Sequence, residues 1–323
     1  MRAAPGVAPT PALWLTAPMA DEHLQYGTRV FPLASAGGET CAEVVPELGG
    51  IVSSLQLPAP GGASRECLFQ YPWFWDRGTE ELRGGIPPLF PVCGRLLQDG
   101  VRGQYRVGDR PYVLPIHGFA MRHPWKVVDA SRPDALRLRL TDNAATRAMY
   151  PFAFELELLY VATAAGFTSR LTVRNTGPAP MPYYAGFHPY FLTPPPGAGK
   201  EQTRFDARPL ARHLYNPTKT DLVATAPLPA LPMSVADVDV NELLLETGDR
   251  GETRLLWPDG FVLRQIASPP LRFRQFYTLP DHPFFCDEPW MAPPGTLHHP
   301  EAVPVLPPGA STACEVLLAA ARA

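Results

Sequence analysis

The chain has 323 residues, of which 46% are hydrophobic and 18% charged, and its formal net charge is −3 at pH 7. This length permits one large domain or two smaller ones, and the apolar fraction is enough for a substantial core. The nearly neutral charge balance lacks the basic character of a nucleic-acid-binding protein. No run of about 20 apolar residues is present, which argues against a membrane-spanning helix. We therefore expect neither a nucleic acid nor a membrane as a partner.

The five cysteines indicate a reducing environment. Their number is odd and no pair has C-x-x-C spacing, so neither a disulfide framework nor a structural zinc site is expected. We predict small buried thiols in a cytoplasmic protein. Residues 1–26 begin with Ala- and Pro-rich sequence and are predicted to form a loose tail. Residues 27–323 are predicted to form a single domain.

The remaining chain reads mostly as short strands. Apolar and polar residues alternate with period two in 135–140, 152–161 and 169–174, and turn residues bound each run. This pattern is typical of half-buried strands. The predicted elements, in chain order, are strands at 29–33, 41–45, 51–57, 105–107, 125–128 and 135–140, a short helix at 144–149, and strands at 152–161, 169–174, 183–184, 241–245, 253–256, 261–265, 272–278 and 313–318.

Many short strands with turn signals between them indicate an all-β sandwich or barrel. The 41 prolines disfavour long helices, so few and short helices are expected. The Pro-rich stretches at 193–199 and 227–232 have strand-like segments on both sides. They therefore read as surface loops, which favours one large β domain over two.

Two segments place polar, titratable side chains in apolar or Gly- and Pro-rich surroundings. The segment 83–95, RGGIPPLFPVCGR, has an irregular backbone in which glycine permits close approach of a ligand. Its terminal residues, Arg83 and Arg95, offer rigid forks of donors suited to sugar hydroxyls or carboxylates. Alternatively, the segment is a tight connector with solvated arginines.

In the second segment, 284–290 (FFCDEPW), Glu288 lies in a strongly apolar run, where burial raises a carboxyl pKa toward that of a useful base. The alternative is a buried ion pair with an arginine.

Two histidines have similar surroundings. His117 follows an apolar run and precedes a glycine, and His188 lies among aromatic residues before a proline. His188 is a candidate general acid or a structural hydrogen-bond donor, whereas His117 taken alone is more typical of a satisfied core or surface histidine. No G-x-S-x-G, Walker loop or G-x-G-x-x-G is present. Acid/base chemistry with His and Glu, without metal or cofactor, therefore remains, together with plain binding.

Taken in order, these segments resemble the aldose 1-epimerase (galactose mutarotase) family. The resemblance spans residues 28–320 and implies a large antiparallel supersandwich of β-sheets. The matching stretches are RGGIPPLFPVCGR at 83–95, HGFAMRHPW at 117–125, YPFAFELELLY at 150–160, GFHPYF at 186–191, FFCDEPW at 284–290 and LPPG at 306–309.

The resemblance implies mutarotation, in which a sugar ring opens, rotates about C1–C2 and closes as the other anomer. It implies that Glu288 takes the C1 hydroxyl proton and that His188 donates a proton to the ring oxygen. His117 matches the residue that orients the sugar. Arg95 and Asp239 match substrate-binding positions. One acid and one base should give a bell-shaped pH dependence.

Other interpretations remain open. The R-G-G-I-P and H-G-F-A elements are equally similar to the hexose-6-phosphate mutarotase branch, for which Arg83 and Arg122 are candidate phosphate ligands. A non-catalytic carbohydrate-binding β-sandwich is a further alternative. A glycoside hydrolase needs two carboxylates flanking the bond, and the adjacent Asp287 and Glu288 do not provide them. The expected partner is a small sugar, and the expected state is a monomer or homodimer.

Overall fold

The computed structural model describes residues 22–249 and 251–322. Most of the predicted tail, residues 1–26, lies outside this range, and its last part contains a strand. The strands are β1 (His23–Gln25), β2 (Thr28–Ala34), β3 (Cys41–Val45), β4 (Ile51–Pro58), β5 (Ser64–Glu66), β6 (Pro88–Leu89), β7 (Leu97–Gln98), β8 (Val101–Arg102), β9 (Gln104–Val107), β10 (Arg110–Val113), β11 (Lys126–Arg132), β12 (Ala135–Thr141), β13 (Phe154–Thr163), β14 (Gly166–Asn175), β15 (Met181–Pro182), β16 (Gly186–Phe187), β17 (Tyr190–Leu192), β18 (Arg204–Ala207), β19 (Ala211–Tyr215), β20 (Leu222–Ala226), β21 (Met233–Ser234), β22 (Leu244–Glu246), β23 (Gly251–Leu256), β24 (Phe261–Ala267), β25 (Phe273–Tyr277), β26 (Phe284–Trp290), β27 (Val305–Leu306) and β28 (Ser311–Arg322).

Helical structure is short, as predicted. The α-helix α1 covers Ala144–Met149, and the Asn143 side chain accepts hydrogen bonds from the first free amides of this helix. The hydroxyl of Thr146 accepts in return from the Asn143 amide at 2.8 Å, which completes a capping box. Short 3₁₀ helices cover Pro46–Leu48, Pro60–Gly62, Ala120–Arg122, Lys200–Gln202, Val238–Val240 and Thr296–His298.

The strands form three main antiparallel sheets, which confirms the all-β, supersandwich class. The first contains β1 to β5 in sequence order. A nine-stranded sheet has the order β11-β12-β13-β14-β28-β24-β23-β18-β21. An eight-stranded sheet has the order β20-β19-β22-β25-β26-β16-β6, with β17 also paired to β26. No helix among residues 22–249 and 251–322 is long and apolar enough to cross a membrane.

The alternating runs fold as the period predicts. Strand β13 alternates buried and half-buried residues along nearly its whole length and pairs in register with β12 and β14. The strand predicted at 183–184 is wrong. Tyr183 and Tyr184 lie between β15 and β16 and hydrogen-bond to the loop carbonyls of Pro304 and Pro91. Their aromatic rings are both buried, so they fill the core without the alternation that a half-buried strand requires.

Strand β26 is the longest fully buried strand of the eight-stranded sheet. All seven of its residues are buried, and it pairs with β25, β16 and β17. Successive side chains of a strand point to opposite faces. The neighbours Asp287 and Glu288 therefore enter two different buried environments from one segment of backbone.

On one face, Asp287 meets a fully buried arginine. Arg274 Nη1 lies 3.3 Å from Asp287 Oδ1, and its Nη2 donates to the Gly251 carbonyl at 2.6 Å. Thr253 donates its hydroxyl to the Asp287 carboxylate, and Gln265 Nε2 donates to the Asp287 carbonyl at 2.9 Å. Arg274 and Asp287 belong to the eight-stranded sheet and the other partners to the nine-stranded sheet, so this ion pair joins the two sheets.

All five cysteines are free thiols, and four of them are buried. This agrees with the prediction that the fold has no disulfide framework. The core therefore rests on apolar packing and on buried polar contacts such as the Arg274–Asp287 pair.

Replacing Asp287 by Asn should destabilise the fold by about 3–5 kcal/mol, because it leaves the Arg274 charge buried without a counter-charge. Urea unfolding of the two proteins measures this difference. Asp99→Asn is the matched control, because Asp99 forms an exposed ion pair with Arg106 at 3.0 Å. It should change stability by less than about 1 kcal/mol. Equal effects of the two substitutions would contradict the structural role of the buried pair.

Candidate active site

A cavity of about 320 Å³ opens where β26, β16 and the loops after β6 and β10 converge. We call it the inner pocket. Its lining includes four of the residues proposed from the sequence, which are far apart in the chain. The lining residues are Tyr71, Trp73, Glu81, Leu82, Gly94, Arg95, Ile116, His117, His188, Tyr190, Tyr215, Lys219, Glu242, Gln275, Tyr277, Leu279, His282, Glu288, Trp290 and Pro294.

Glu288 enters the inner pocket from the face of β26 opposite Asp287. Its Oε1 lies 3.3 Å from His188 Nε2, and among the described residues its Oε2 has no hydrogen-bond partner. Burial raises the pKa of Glu288 well above its usual range, and the nearby charge of Glu242 raises it further. The arginine expected in the alternative interpretation pairs with Asp287 instead, so Glu288 is available for chemistry.

His188 connects β16 to β17 and is held from several sides. Its amide donates to the Pro87 carbonyl at 3.0 Å, and its ring stacks on Tyr190 with centroids 4.5 Å apart and an interplanar angle of 8°. Burial lowers the pKa of His188 to about 3. The imidazole is therefore neutral at neutral pH.

Glu288 and His188 together hold one proton over a wide pH range. A neutral imidazole beside a protonated carboxyl contains the same number of protons as an imidazolium beside a carboxylate. The two forms differ only by transfer of a proton across the 3.3 Å Nε2–Oε1 contact. Such a pair titrates as a unit. It can supply a base and an acid together without taking a proton from solvent.

His117 is fixed by a reciprocal contact with Gly94. The His117 amide donates to the Gly94 carbonyl at 2.9 Å, and the Gly94 amide donates to His117 Nδ1 at 3.0 Å. Since Nδ1 accepts, the proton of the neutral ring is on Nε2. Both residues have positive φ, and a side chain at position 94 would meet Pro294 Cγ at 2.7 Å. Glycine is therefore required there.

The same tautomer bears on metal binding. His117, His188 and Glu288 each place one potential ligand atom within 4.8 Å of the others. A metal on His117 Nε2 would require the proton to move to Nδ1, where it would oppose the Gly94 amide. The geometry thus favours His117 as a hydrogen-bond donor into the inner pocket over a metal ligand.

An ion trio lies at the side of the inner pocket. Arg95 contacts both oxygens of Glu242, at 3.2 and 3.4 Å, and Lys219 Nζ lies 3.0 Å from Glu242 Oε1. The Arg95 side chain remains 42% exposed. The trio therefore presents both donors and a carboxylate acceptor to a ligand with hydroxyl groups.

Five buried polar atoms of the inner-pocket residues have no hydrogen-bond partner among the described residues. They are His188 Nδ1, Tyr190 Oη, His282 Nδ1, Glu288 Oε2 and Trp290 Nε1. Buried polar groups are otherwise nearly always paired. Their concentration around one cavity indicates that the inner pocket receives a polar ligand.

Backbone strain marks the same place. Five non-glycine residues have positive φ among those described, and three of them, His117, Lys219 and Glu242, line the inner pocket. Such conformations persist where the surrounding structure enforces them, and they cluster at functional sites. This observation supports the inner pocket independently of its hydrogen bonding.

Three residues proposed from the sequence do not line the inner pocket. Asp239 is exposed on the 3₁₀ helix at Val238–Val240, where it turns toward solvent. Arg83 donates from Nη1 to the carbonyls of Phe74 and Asp76 and from Nη2 to that of Thr79. Arg122 donates to two carbonyls of the 116–118 loop. Both arginines line an adjoining larger cavity.

The sequence reasoning missed Glu242 and Lys219. Glu242 lies three residues after Asp239. Glu242 lines the inner pocket, where the sequence reasoning expected Asp239. Both residues sit in turns, and their positive φ values are 64° and 56°. Neither belongs to an apolar run, which was the signal that identified Glu288 and the histidines.

Solved structures of other proteins share this fold. The Slr1438 protein of Synechocystis superimposes with a TM-score of 0.75 at 24% identity, covering 96% of this chain and 100% of that one. A galactose mutarotase related enzyme from Lactobacillus acidophilus gives 0.74 at 20% identity, with coverages of 90% and 97%. A galactose mutarotase-like protein from Clostridium acetobutylicum gives 0.76 at 17% identity, with coverages of 94% and 98%.

The sequence relatives align with a smaller part of this chain. The chromosomal protein LacX of Lactococcus lactis is 29% identical over 126 residues, and its plasmid counterpart is 28% identical over the same length. These alignments cover 38% of this chain and 41% of each relative. The family model described as aldose 1-epimerase matches residues 35–225, more than half of the chain. The chain therefore belongs to the aldose 1-epimerase family.

Proposed function

We propose that the protein is a mutarotase that interconverts the α and β anomers of a free aldose. The observation that carries this proposal is the buried contact between Glu288 and His188 in a pocket with unpartnered polar atoms. Mutarotation needs one base at the C1 hydroxyl and one acid at the ring oxygen. The pair contains one proton and two sites, which is what this exchange requires.

The proposed reaction begins with proton transfer from Glu288 to His188 as the sugar binds. The Glu288 carboxylate then takes the C1 hydroxyl proton, and the His188 imidazolium donates a proton to the ring oxygen. The C1–O5 bond breaks and the open-chain aldehyde forms. Rotation about C1–C2 presents the other carbonyl face, and the reverse transfers close the ring and restore the pair.

The other pocket residues orient the sugar in this proposal. His117 donates from Nε2 to a sugar oxygen, because Gly94 holds its other nitrogen as an acceptor. Arg95 and Lys219 donate to hydroxyl oxygens, and Glu242 accepts from hydroxyl groups. These contacts hold the reacting carbon near Glu288, and correct positioning contributes a large part of an enzymatic rate.

The family membership supports an epimerase-type reaction. The contacts of Arg83 and Arg122 favour a free sugar over a hexose 6-phosphate as the substrate. Three hydrogen bonds of Arg83 go to loop carbonyls. Arg122 faces the negative charges of Glu80 and Glu81 and already binds two carbonyls. Neither arginine lines the inner pocket, so the two residues are poor phosphate ligands for a sugar bound beside Glu288.

Glu288→Gln should lower kcat for anomer exchange by about 10²–10⁴-fold, because the amide cannot act as a base. Polarimetry of freshly dissolved α-D-glucose and α-D-galactose measures the rate. Glu246→Gln is the control, since Glu246 binds His213 on another part of the same sheet at 3.1 Å. It should leave the rate unchanged.

An unchanged rate in Glu288→Gln would contradict the assigned base. Sugar binding by the wild-type protein with no acceleration over buffer would favour the carbohydrate-binding alternative. If NMR shows faster anomer exchange of glucose 6-phosphate but of neither free sugar, Arg83 and Arg122 would again be the candidate phosphate ligands.

The pH dependence of kcat/KM should be a broad bell. The acid limb reflects uptake of a second proton by the pair, and burial lowers the pKa of His188 to about 3. The alkaline limb reflects loss of the shared proton, and burial raises the pKa of Glu288 well above its usual range. The acid limb should therefore lie well below about pH 6.5, and the two limbs should lie farther apart than for an ordinary histidine and glutamate. An acid limb centred near about pH 6.5, the ordinary value for histidine, would contradict the shared proton.

A further inference from the structure

Trp73 is an exposed aromatic residue held at the mouth of the inner pocket. Its side chain stacks on Tyr71 with centroids 4.6 Å apart and an interplanar angle of 12°. Its indole Nε1 donates to the Leu82 carbonyl at 3.1 Å. The residue nevertheless remains 39% exposed. An indole that is held in one orientation at the edge of a cavity offers a flat apolar face to a ligand and loses little side-chain freedom on binding.

A series of ring contacts connects Trp73 to the proposed acid. Tyr71 lies 5.8 Å from Tyr190 between ring centroids, and Tyr190 lies 4.5 Å from His188. All four rings line the inner pocket. Trp73 is thus the outermost ring of one wall of that cavity, and a molecule emerging from the pocket along this wall meets the indole.

A second, larger cavity of about 1520 Å³ adjoins the inner pocket. We call it the outer groove. Glu81, Leu82, Arg95 and Ile116 line both cavities. The inner pocket lies at the small end of the range for ligand sites, so a longer molecule bound there would continue into the outer groove.

The chemistry of the outer groove suits a neutral molecule with many hydroxyl groups. Its lining includes five arginines and three glutamates, and Val113 is among its apolar residues. Arg77 pairs with Glu47, Arg95 pairs with Glu242, and Arg83 donates to loop carbonyls. Arg102 and Arg122 remain as donors, and Glu80 and Glu81 are the acceptors. The charges of Glu80 and Glu81 act on Arg122, which offsets its attraction for an anion. Sugar rings combine apolar C–H faces with hydroxyl edges, and an indole face accepts such C–H groups.

We propose that Trp73 and the outer groove form a subsite for a second sugar residue. The preferred substrate is then a neutral oligosaccharide whose reducing end occupies the inner pocket and whose next ring contacts Trp73. This inference rests on the proposed function, because it assigns the reducing end to Glu288 and His188. It adds a preference for disaccharides over monosaccharides that the inner pocket alone does not provide.

The test compares anomer exchange of D-glucose, maltose, cellobiose, lactose and glucose 6-phosphate by NMR. At least one disaccharide should have a kcat/KM about tenfold above that of glucose. Val113→Trp narrows the outer groove, because Val113 is 50% exposed in its wall, and should lower the disaccharide-to-glucose ratio about tenfold. Val128→Trp is the matched control, at a 43% exposed valine on β11. It should leave the ratio unchanged.

Trp73→Ala should lower the same ratio through KM, and Trp73→Phe should restore part of it because a ring remains. Equal kcat/KM values for glucose and all three disaccharides would overturn the subsite while leaving the mutarotase proposal intact. A higher value for glucose 6-phosphate than for any neutral sugar would also overturn it.

Failure of the proposed function gives a different result. If no sugar is turned over, direct binding of maltose, cellobiose and lactose is compared with binding of glucose by calorimetry. Tighter binding of a disaccharide that Val113→Trp weakens would support the subsite without the catalysis. Equal binding of glucose and the disaccharides would overturn the subsite as well.

Discussion

The two faces of strand β26 are the constraint on which the site depends. Asp287 and Glu288 are consecutive, and both are almost fully buried. The pleat directs their side chains to opposite faces of the strand, so the two carboxyl groups have different partners. Asp287 meets Arg274 and two further donors between the sheets. This contact holds one face of β26, and among the described residues Glu288 has no cationic partner within ion-pair distance at the inner pocket.

A carboxyl group buried without a cation is normally unfavourable, and the pocket accommodates it by protonation. The partner at 3.3 Å is an imidazole that burial also keeps neutral. The two groups thus avoid net charge while retaining a proton that can move between them. In the proposed reaction, this proton converts the resting pair into a base and an acid. The strained backbone at His117, Lys219 and Glu242 holds the remaining polar groups around the pair.

Much of the fold could be predicted because it follows from local patterns of apolar and polar residues in the sequence. Alternation identified β12, β13 and β14, and the short helix has the predicted bounds. Titratable residues in or beside apolar runs pointed to Glu288, His188 and His117 as candidates. These signals work because a buried polar residue in an apolar run needs a specific partner or a specific role.

The remainder depended on contacts that are distant in sequence. The partners of Arg83 are carbonyls of the preceding loop, and nothing in a side-chain pattern indicates that a guanidinium is already occupied. Asp239 and Glu242 are three residues apart in one turn, and the backbone conformation decides which one faces the cavity. Trp73 was not identified because its stacking on Tyr71 and its exposure appear only in the folded chain.

In the ligand-free protein, the proton that Glu288 and His188 share should reside on the Glu288 carboxyl group. Nitrogen-15 NMR of the histidine side chains tests it most directly in the ligand-free protein. His188 should stay a neutral imidazole from about pH 7 down to about pH 4, as expected for a pKa of about 3. A His188 ring that is an imidazolium at neutral pH, or one that titrates alone near about pH 6.5, would contradict it.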